Sequence, residues 1–576
     1  MTQAPSAPRT RAAATRAASC AAVPNSWGSL PDAVHQRLQP LRRHRSNVLL
    51  QMALLSTVCL AAGLGAGWSG VLPRRQLSPL ATSFPASRSV SAAATTAREA
   101  STSPASSPGA AAVFTVVAPL QLQSPFGVSW REVLEHTATR LSWTDPAFRL
   151  SLHDSQLLAG GDEGASSSRS ALLDDVRQSQ AAVAIGVADM TSAAALAPLL
   201  AEATTAVALG SAQQLQAATR LGGRTPGGSL GFLQRLFGGT QADVDEQVLH
   251  TIAELYQRAS SDDFLFVFLV LANSYIKEVP AVAMSFAQKN AGLQELQCMV
   301  TKCGGQIFRC VTDTSCKAAL DCLTGCEFND QVCTYRCITS YESPLLEDFS
   351  LCIIQKHNCF NLKADIPMVP DPAPLASFGG QPMTHELAED LFIGWLDADS
   401  TTSLDRPSAL QPFSWRVFAG KNAAYDFFNC QYQLFYRGKG KGGMWYDPSF
   451  KVETVDGRSV WRRRHYRVKR DKQPGTFRFS VLDNGVTSNE FWRILDCEEG
   501  LDWCVFYYSG AASRAGLSYS GAILASKSGE WPKSQAARQR IEAVLDSAGI
   551  KTWELSNVDN SNCVGAPLDR SLLALA

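Results

Sequence analysis

Residues 316–337 read CKAALDCLTGCEFNDQVCTYRC, five cysteines in 22 residues, and whether these hold a metal or one another decides what fold surrounds them. Zinc sites use Cys-x2-Cys knuckles or Cys/His pairs at a few short spacings, because two ligands on one tight turn must point into one tetrahedron. No such spacing occurs in this stretch. Cys322 and Cys326 are four apart, as are Cys333 and Cys337, which places each pair on one face of a helix. Two such helices folded antiparallel across EFNDQ join Cys322 to Cys337 and Cys326 to Cys333. The same nesting gives Cys298–Cys316 and Cys303–Cys310 upstream, and Cys352–Cys359 closes a short loop. Bridges this dense imply an oxidising compartment and a module whose core is too small to fold alone. The expectation is disulfides and no metal.

The chain has 576 residues, enough for about three domains. Its 52 basic and 52 acidic side chains cancel, so charge gives no basis for nucleic-acid binding. Residues 1–111 read as a targeting region followed by an Ala/Ser/Pro-rich linker, with the Arg/Ala/Ser composition of an organellar transit peptide at the start. Within it, LRRHRSNVLLQMALLSTVCLAAGLGAGW (41–68) sets cations before an apolar run over 47–68. That run is either a membrane anchor or the core of a second, removable signal, and removal is favoured.

From residue 112 to about 290 the pattern is that of an α/β layer domain. AAVAIGV (181–187), TAVAL (205–209) and FLFVFLVLA (264–272) are continuous apolar runs, as expected of parallel strands buried on both faces. TSAAALAPLLAEA (191–203) and DVDEQVLHTIAELYQRA (243–259) carry helical period between them. LAGGDEGASSS (158–168) has glycines but neither the Gly-x-Gly-x-x-Gly spacing nor the Lys-Ser/Thr of a phosphate loop, so it reads as a surface loop. The sequence is silent on the role of this domain. The disulfide module follows at 291–365, then a stiff linker at 366–410 opening with IPMVPDPAP.

Residues 411–570 turn to β signals. WRVFAG, CQYQLFYRGKGKGGMWYDPSF, KVETVDGRSVWRRRHYRV, GTFRFSVLDNGVTSNEFWRIL, WCVFYYSG and LSYSGAILAS give about eight strands joined mainly as hairpins, and KSQAARQRIEAVLDSAGI then reads as an amphipathic helix. A meander of that size closed by a flanking helix outlines a small ligand-holding barrel. In WRRRHYRVKRDK, Arg463, His465, Arg467 and Lys469 share one strand face; it is either solvated or turned to an anionic lipid surface.

The Cys-rich run, FSWRVFAGKNAAYDFFNCQYQLFY (413–436), DWCVFYYSGAASRAGLSYSGAI (502–523) and VDNSNCVGAPL (558–568) together resemble the violaxanthin de-epoxidase family, and most of all its branch of violaxanthin de-epoxidase-related proteins. The resemblance covers about residues 290–570. It implies a multidomain α+β chain: α/β layer domain, disulfide-rich helical module, and lipocalin-like antiparallel β-barrel with a C-terminal helix. It further implies a xanthophyll such as violaxanthin as ligand, ascorbate as co-substrate, and a chloroplast location in the thylakoid lumen or at its membrane. A galactolipid surface and a second copy of the chain, as a homodimer, are the implied partners. One more bridge, Cys430–Cys563, comes with it, while Cys497 and Cys504 stay unassigned. By resemblance the catalytic residues are Glu490, where the family has Asp, and Tyr508; Trp415, Trp492, Phe506 and Tyr519 line the ligand. A second family tyrosine corresponds to Ala525. Removing an epoxide oxygen needs an acid beside it, and a carboxyl inside an apolar barrel suits that role because desolvation keeps it protonated. The runner-up function is a non-catalytic carotenoid or lipid binder.

Overall fold

The computed structural model describes residues 112–160, 163–222, 241–283, 293–394, 414–422, 427–438 and 442–567. The apolar run at 47–68 and the rest of 1–111 lie outside the described residues. Within them, no helix is long and apolar enough to cross a membrane.

The first layer is a parallel sheet in the order β2-β1-β3-β4, built from β1 (Ala112–Ala118), β2 (Phe148–Asp154), β3 (Ala181–Ile185) and β4 (Ala206–Leu209). Helices α1 (Trp130–Thr144), α2 (Glu163–Gln178), α3 (Met190–Leu200), α4 (Gln213–Ala217), α5 (Gln241–Gln257) and α6 (Ser261–Leu271) connect and cover it. Two expectations are corrected here. FLFVFLVLA is not a strand but most of α6: Ser260 caps its N-terminus by accepting from the Asp263 N–H, and Asp262 and Asp263 occupy the first turn. Its apolar residues run round the helix because neighbours cover it on nearly every side, which erases the periodicity that would separate helix from strand. LAGGDEGASSS is not a loop throughout, since α2 begins at Glu163. At the carboxyl ends of β3 and β4, where doubly wound sheets bind ligands, Gly186 and Gly210 admit the rings of Trp130 and Tyr256.

The disulfide module comprises α7 (Leu293–Thr312), α8 (Thr314–Gly325), α9 (Gln331–Ser340) and α10 (Pro344–Ser350), which runs on as a π-helix over Leu351–Lys356. Cys322–Cys337 and Cys326–Cys333 clip α8 to α9. The other pairings differ from those inferred from nesting: the bonds are Cys298–Cys359, Cys303–Cys352 and Cys310–Cys316. Cys298, Cys303 and Cys310 all sit on α7, and residues seven apart on one helix stand about 10 Å apart along the axis, beyond the reach of a bridge. They therefore bond outward, two of them to the antiparallel segment 352–359.

Residues 366–394 are not a free linker. The proline-rich strap lies on the barrel that follows it, with the Ala364 N–H donating to Ser513 O at 3.0 Å and the Leu375 N–H to Ile494 O at 2.8 Å. A two-residue hairpin of β5 (Ser377–Phe378) and β6 (Gln381–Pro382) leads from the strap into helix α11 (His385–Ile393). This helix closes one barrel end, capped by Thr384 at its start and by Gly394 in the left-handed region at its stop.

Eight antiparallel strands close into the barrel: β7 (Trp415–Lys421), β8 (Asn429–Arg437), β9 (Gly443–Glu453), β11 (Tyr466–Arg470), β12 (Thr476–Asp483), β13 (Val486–Cys497), β14 (Trp503–Ala512) and β15 (Leu517–Ser526), with β15 returning to β7. Between β9 and β11, β10 (Ser459–Arg463) pairs only with the far half of β9. Helix α12 (Gln535–Ser547) packs on the outer wall through Ile541 and Leu545. Cys430–Cys563 ties β8 to the tail beyond it, and Cys497–Cys504 joins β13 to β14.

The plug at the closed end is held by polar contacts around an aromatic tip. The Trp415 indole donates to the carbonyls of Leu391 and Phe392 at 3.1 and 3.0 Å. Glu389 of α11 is buried yet accepts from Arg437 at 3.0 Å and Arg470 at 2.6 Å. Phe392 enters the barrel, its ring 4.8 Å from Phe435, 4.8 Å from Phe477 and 5.0 Å from Phe506. Phe392→Ala is expected to cost about 3 kcal/mol in urea unfolding, the scale for emptying a buried aromatic site.

The basic run is largely spent on internal pairs. Arg462 and Arg464 both bind Glu342, holding the disulfide module to the barrel, while Arg463 and His465 both meet the buried Asp447. Arg467 and Lys469 remain exposed.

Candidate functional site

The register of three hairpin-linked strands builds the site. Glu490 of β13 stands opposite Phe479 of β12 and Gly510 of β14, and Gly510 stands opposite Tyr519 of β15. Directly paired residues point to the same face, so all of these face the barrel interior. One layer further in, Phe477, Trp492, Tyr508 and Gly521 line up in the same way. The two glycines make room for two tyrosines. A Cβ at Gly510 would lie 2.6 Å from the Tyr519 ring, and one at Gly521 would collide with the Tyr508 ring and the Lys421 carbonyl.

Glu490 is 5% exposed in a wall of aromatic rings. Its Oε2 accepts from the Trp492 indole N–H at 2.6 Å and its Oε1 from the Tyr519 hydroxyl at 2.7 Å. Burial pushes its carboxyl above the ordinary value of 4.5, and the two donors only partly offset that. The result is a carboxyl that gives up its proton less readily than one in water. Trp492 is itself sandwiched, with Phe479 at 4.6 Å on one side and Tyr508 at 4.9 Å on the other, both rings near parallel to it. Tyr519 meets the edge of Tyr508 at 6.4 Å.

Of the residues singled out from the sequence, Glu490, Trp492, Tyr508 and Tyr519 converge in this one place. Phe506 and Trp415 lie deeper, 5.8 Å from each other and against α11. Ala525 pairs with Cys504 and Val417 at the closed end, six residues along β15 from Tyr519 and therefore about 20 Å away. A hydroxyl at that position would not reach Glu490. Sequence reasoning did not find Phe392 or the polar contact of Tyr519. The first was signalled by the Thr384 and Gly394 helix boundaries around an apolar face, the second by counting register through two short turns.

Residues 295–560 match the family model of the VDE lipocalin domain. Over 260 residues the chain is 25% identical to violaxanthin de-epoxidase of Spinacia oleracea, covering 44% of this chain and 48% of that protein. The enzyme of Nicotiana tabacum is 22% identical over 263 residues, 43% and 48% of the two chains. The chain thus spans about half the length of the curated relatives it matches. Among solved structures, the siderocalin Ex-FABP is similar at 12% identity and TM-score 0.20, over 26% of this chain and 93% of that one. A bovine lipocalin allergen is similar at 8% identity and TM-score 0.19, over 25% and 88%. With the eight-stranded barrel and its disulfide module in place, the matched region, residues 295–560, is similar to the VDE lipocalin domain and to the violaxanthin de-epoxidases.

Proposed function

We propose that the barrel takes up a xanthophyll such as violaxanthin and that Glu490 delivers a proton to its epoxide oxygen while ascorbate reduces the carbon skeleton. The observation that carries this reading is a carboxyl buried inside an aromatic barrel, its pKa raised by that burial, and aimed by two fixed donors. In the overall change two C–O bonds break, one C=C bond forms and the oxygen leaves as water, which consumes two electrons and two protons. The ascorbate monoanion, oxidised to dehydroascorbate, releases both electrons and one proton; Glu490 supplies the other and is reprotonated from solvent. The stack of Phe479, Trp492 and Tyr508 offers an apolar wall for the end ring of the pigment, and Tyr519 fixes the orientation of the acid. The chloroplastic relatives and the seven disulfides among the described residues support a chloroplast location on the oxidising side, in the thylakoid lumen facing galactolipid.

The test is pigment conversion by the oxidised full chain, given violaxanthin in galactolipid with ascorbate at about pH 5 and about pH 7. Conversion favoured by acid and dependent on ascorbate supports the reading. Pigment retained but unchanged would instead favour a non-catalytic binder. Tyr519→Phe removes a donor that stabilises the ionised carboxylate, so the Glu490 pKa rises further. Turnover then falls by roughly tenfold, and the descending limb of the pH–rate profile moves to higher pH; an unmoved limb would remove Tyr519 from the site.

A further inference from the structure

The outer wall of the barrel carries a second cavity that the Glu490 chemistry does not use. It measures about 240 Å³ and lies between α1, the proline strap and β14–β15, with Arg140, Lys421, Tyr507 and Ser520 on its polar side and Trp143 and Ile550 among its apolar walls. A groove of about 560 Å³ between α1 and residues 546–551 shares Trp143, Pro370 and Gly549 with it and supplies a way in. Tyr507 and Tyr508 are successive strand residues, so their rings lie on opposite faces of the wall. The two sites are therefore back to back.

The charged side chains that border this cavity are both cations, each ion-paired on the side away from it. Arg140 and Lys421 are 11% and 7% exposed, and both border it. Their counter-charges are Asp262 and Glu554, with Lys421 donating to Asp262 at 2.9 Å and Arg140 to Glu554 at 3.3 Å. Neither acid lines the cavity, and no other carboxylate among the described residues does. A cavity edged by two cations and the three hydroxyls of Thr144, Tyr507 and Ser520, with flat apolar walls, has donors for an anion and a surface for a planar body. Its volume corresponds to about eight waters, or a ligand of roughly ten non-hydrogen atoms.

We propose that this interdomain cavity binds a small organic anion with a flat unsaturated body and a hydroxyl group. Its charged end meets Arg140 and Lys421, its body lies along Trp143, and its hydroxyl pairs with Tyr507 or Ser520. The site exists only because the α/β domain is docked on the barrel, and completing it gives that otherwise silent domain a role in binding.

Calorimetric titration of the oxidised full chain with 4-hydroxybenzoate, beside its neutral analogue 4-hydroxybenzamide, tests this. The acid is expected to bind at least roughly tenfold more tightly than the amide. Ser520→Leu, which fills the cavity without touching the charge cluster, is expected to weaken it by a further factor of roughly ten, and Tyr507→Phe by severalfold. Glu490→Gln leaves the titration unchanged, which separates this site from the barrel interior. Equal binding of acid and amide, no heat up to about 10 mM acid, loss on Glu490→Gln, or a folded Ser520→Leu chain that binds as before would each overturn the proposal. Should Ser520→Leu fail to fold, the acid–amide comparison and Tyr507→Phe decide.

Discussion

Glu490→Gln is expected to abolish the proposed epoxide conversion, a fall of roughly 10²- to 10⁴-fold, while leaving pigment binding intact. The amide keeps the length of the side chain and its contacts with Trp492 and Tyr519 but has no acidic proton to give. A stability signature accompanies the loss. Burial raises the Glu490 pKa in the folded chain, so the stability this carboxyl contributes is present in full below its ordinary 4.5 and is lost as pH rises through the folded value. The amide that replaces it does not titrate. The melting temperature of the variant relative to the parent chain should therefore rise as pH goes from about 4 to about 7. If turnover and pigment retention disappear together, or if the melting difference is flat with pH, Glu490 is a packing residue and the proposed chemistry falls with it.

The second large effect belongs to Cys430–Cys563. This bridge spans 133 residues and encloses nearly the whole barrel, so its removal frees the longest loop of any bridge described. Cys430→Ser paired with Cys563→Ser should lower unfolding stability by about 4 to 5 kcal/mol in the chain-entropy account, read from urea midpoints at unchanged slope. The short Cys310–Cys316 bridge closes so little chain that its removal should cost about half as much. Equal losses at the two sites would show that strain or local packing, not loop closure, sets the contribution.

Much of the barrel was legible because alternation survives wherever one strand face meets a core and the other meets solvent or a helix. The α6 helix was not, since burial all round leaves no polar stripe to count. Pairing within the disulfide module failed for a related reason. Spacing fixes which cysteines share a helix face, but partners across the module depend on how α7 packs against the segment at 352–359, a tertiary fact. At the site, Glu490 and Tyr508 were marked only by resemblance to a family, because a lone Glu in a strand is ordinarily a solvated residue. Its burial follows from the register between β13, β14 and β15, and that register places Tyr519 where Ala525 cannot reach.

Trp553 and Glu554 gave no signal in the sequence, because their partners are remote along the chain: Glu554 accepts from His136, 418 residues away, at 2.8 Å and from Ser261 at 2.7 Å. Trp553 packs between Phe126 and His136, so both residues seat the barrel's tail on the α/β domain. Burial pushes the Glu554 carboxyl up, but Lys421, His136 and Arg140 together draw it down to about 2.

The strap from Ala364 to Leu375 is anchored at both ends, at Ser513 near one rim of the barrel and at Ile494 toward the other. Its two anchors lie about seven strand residues, roughly 23 Å, apart along the wall, and eleven residues rich in proline cover that distance with room to spare. The disulfide module and the Phe392 helix are thus hitched to the two ends of one strap laid along the barrel wall, so both are seated on the same face by the chain that joins them.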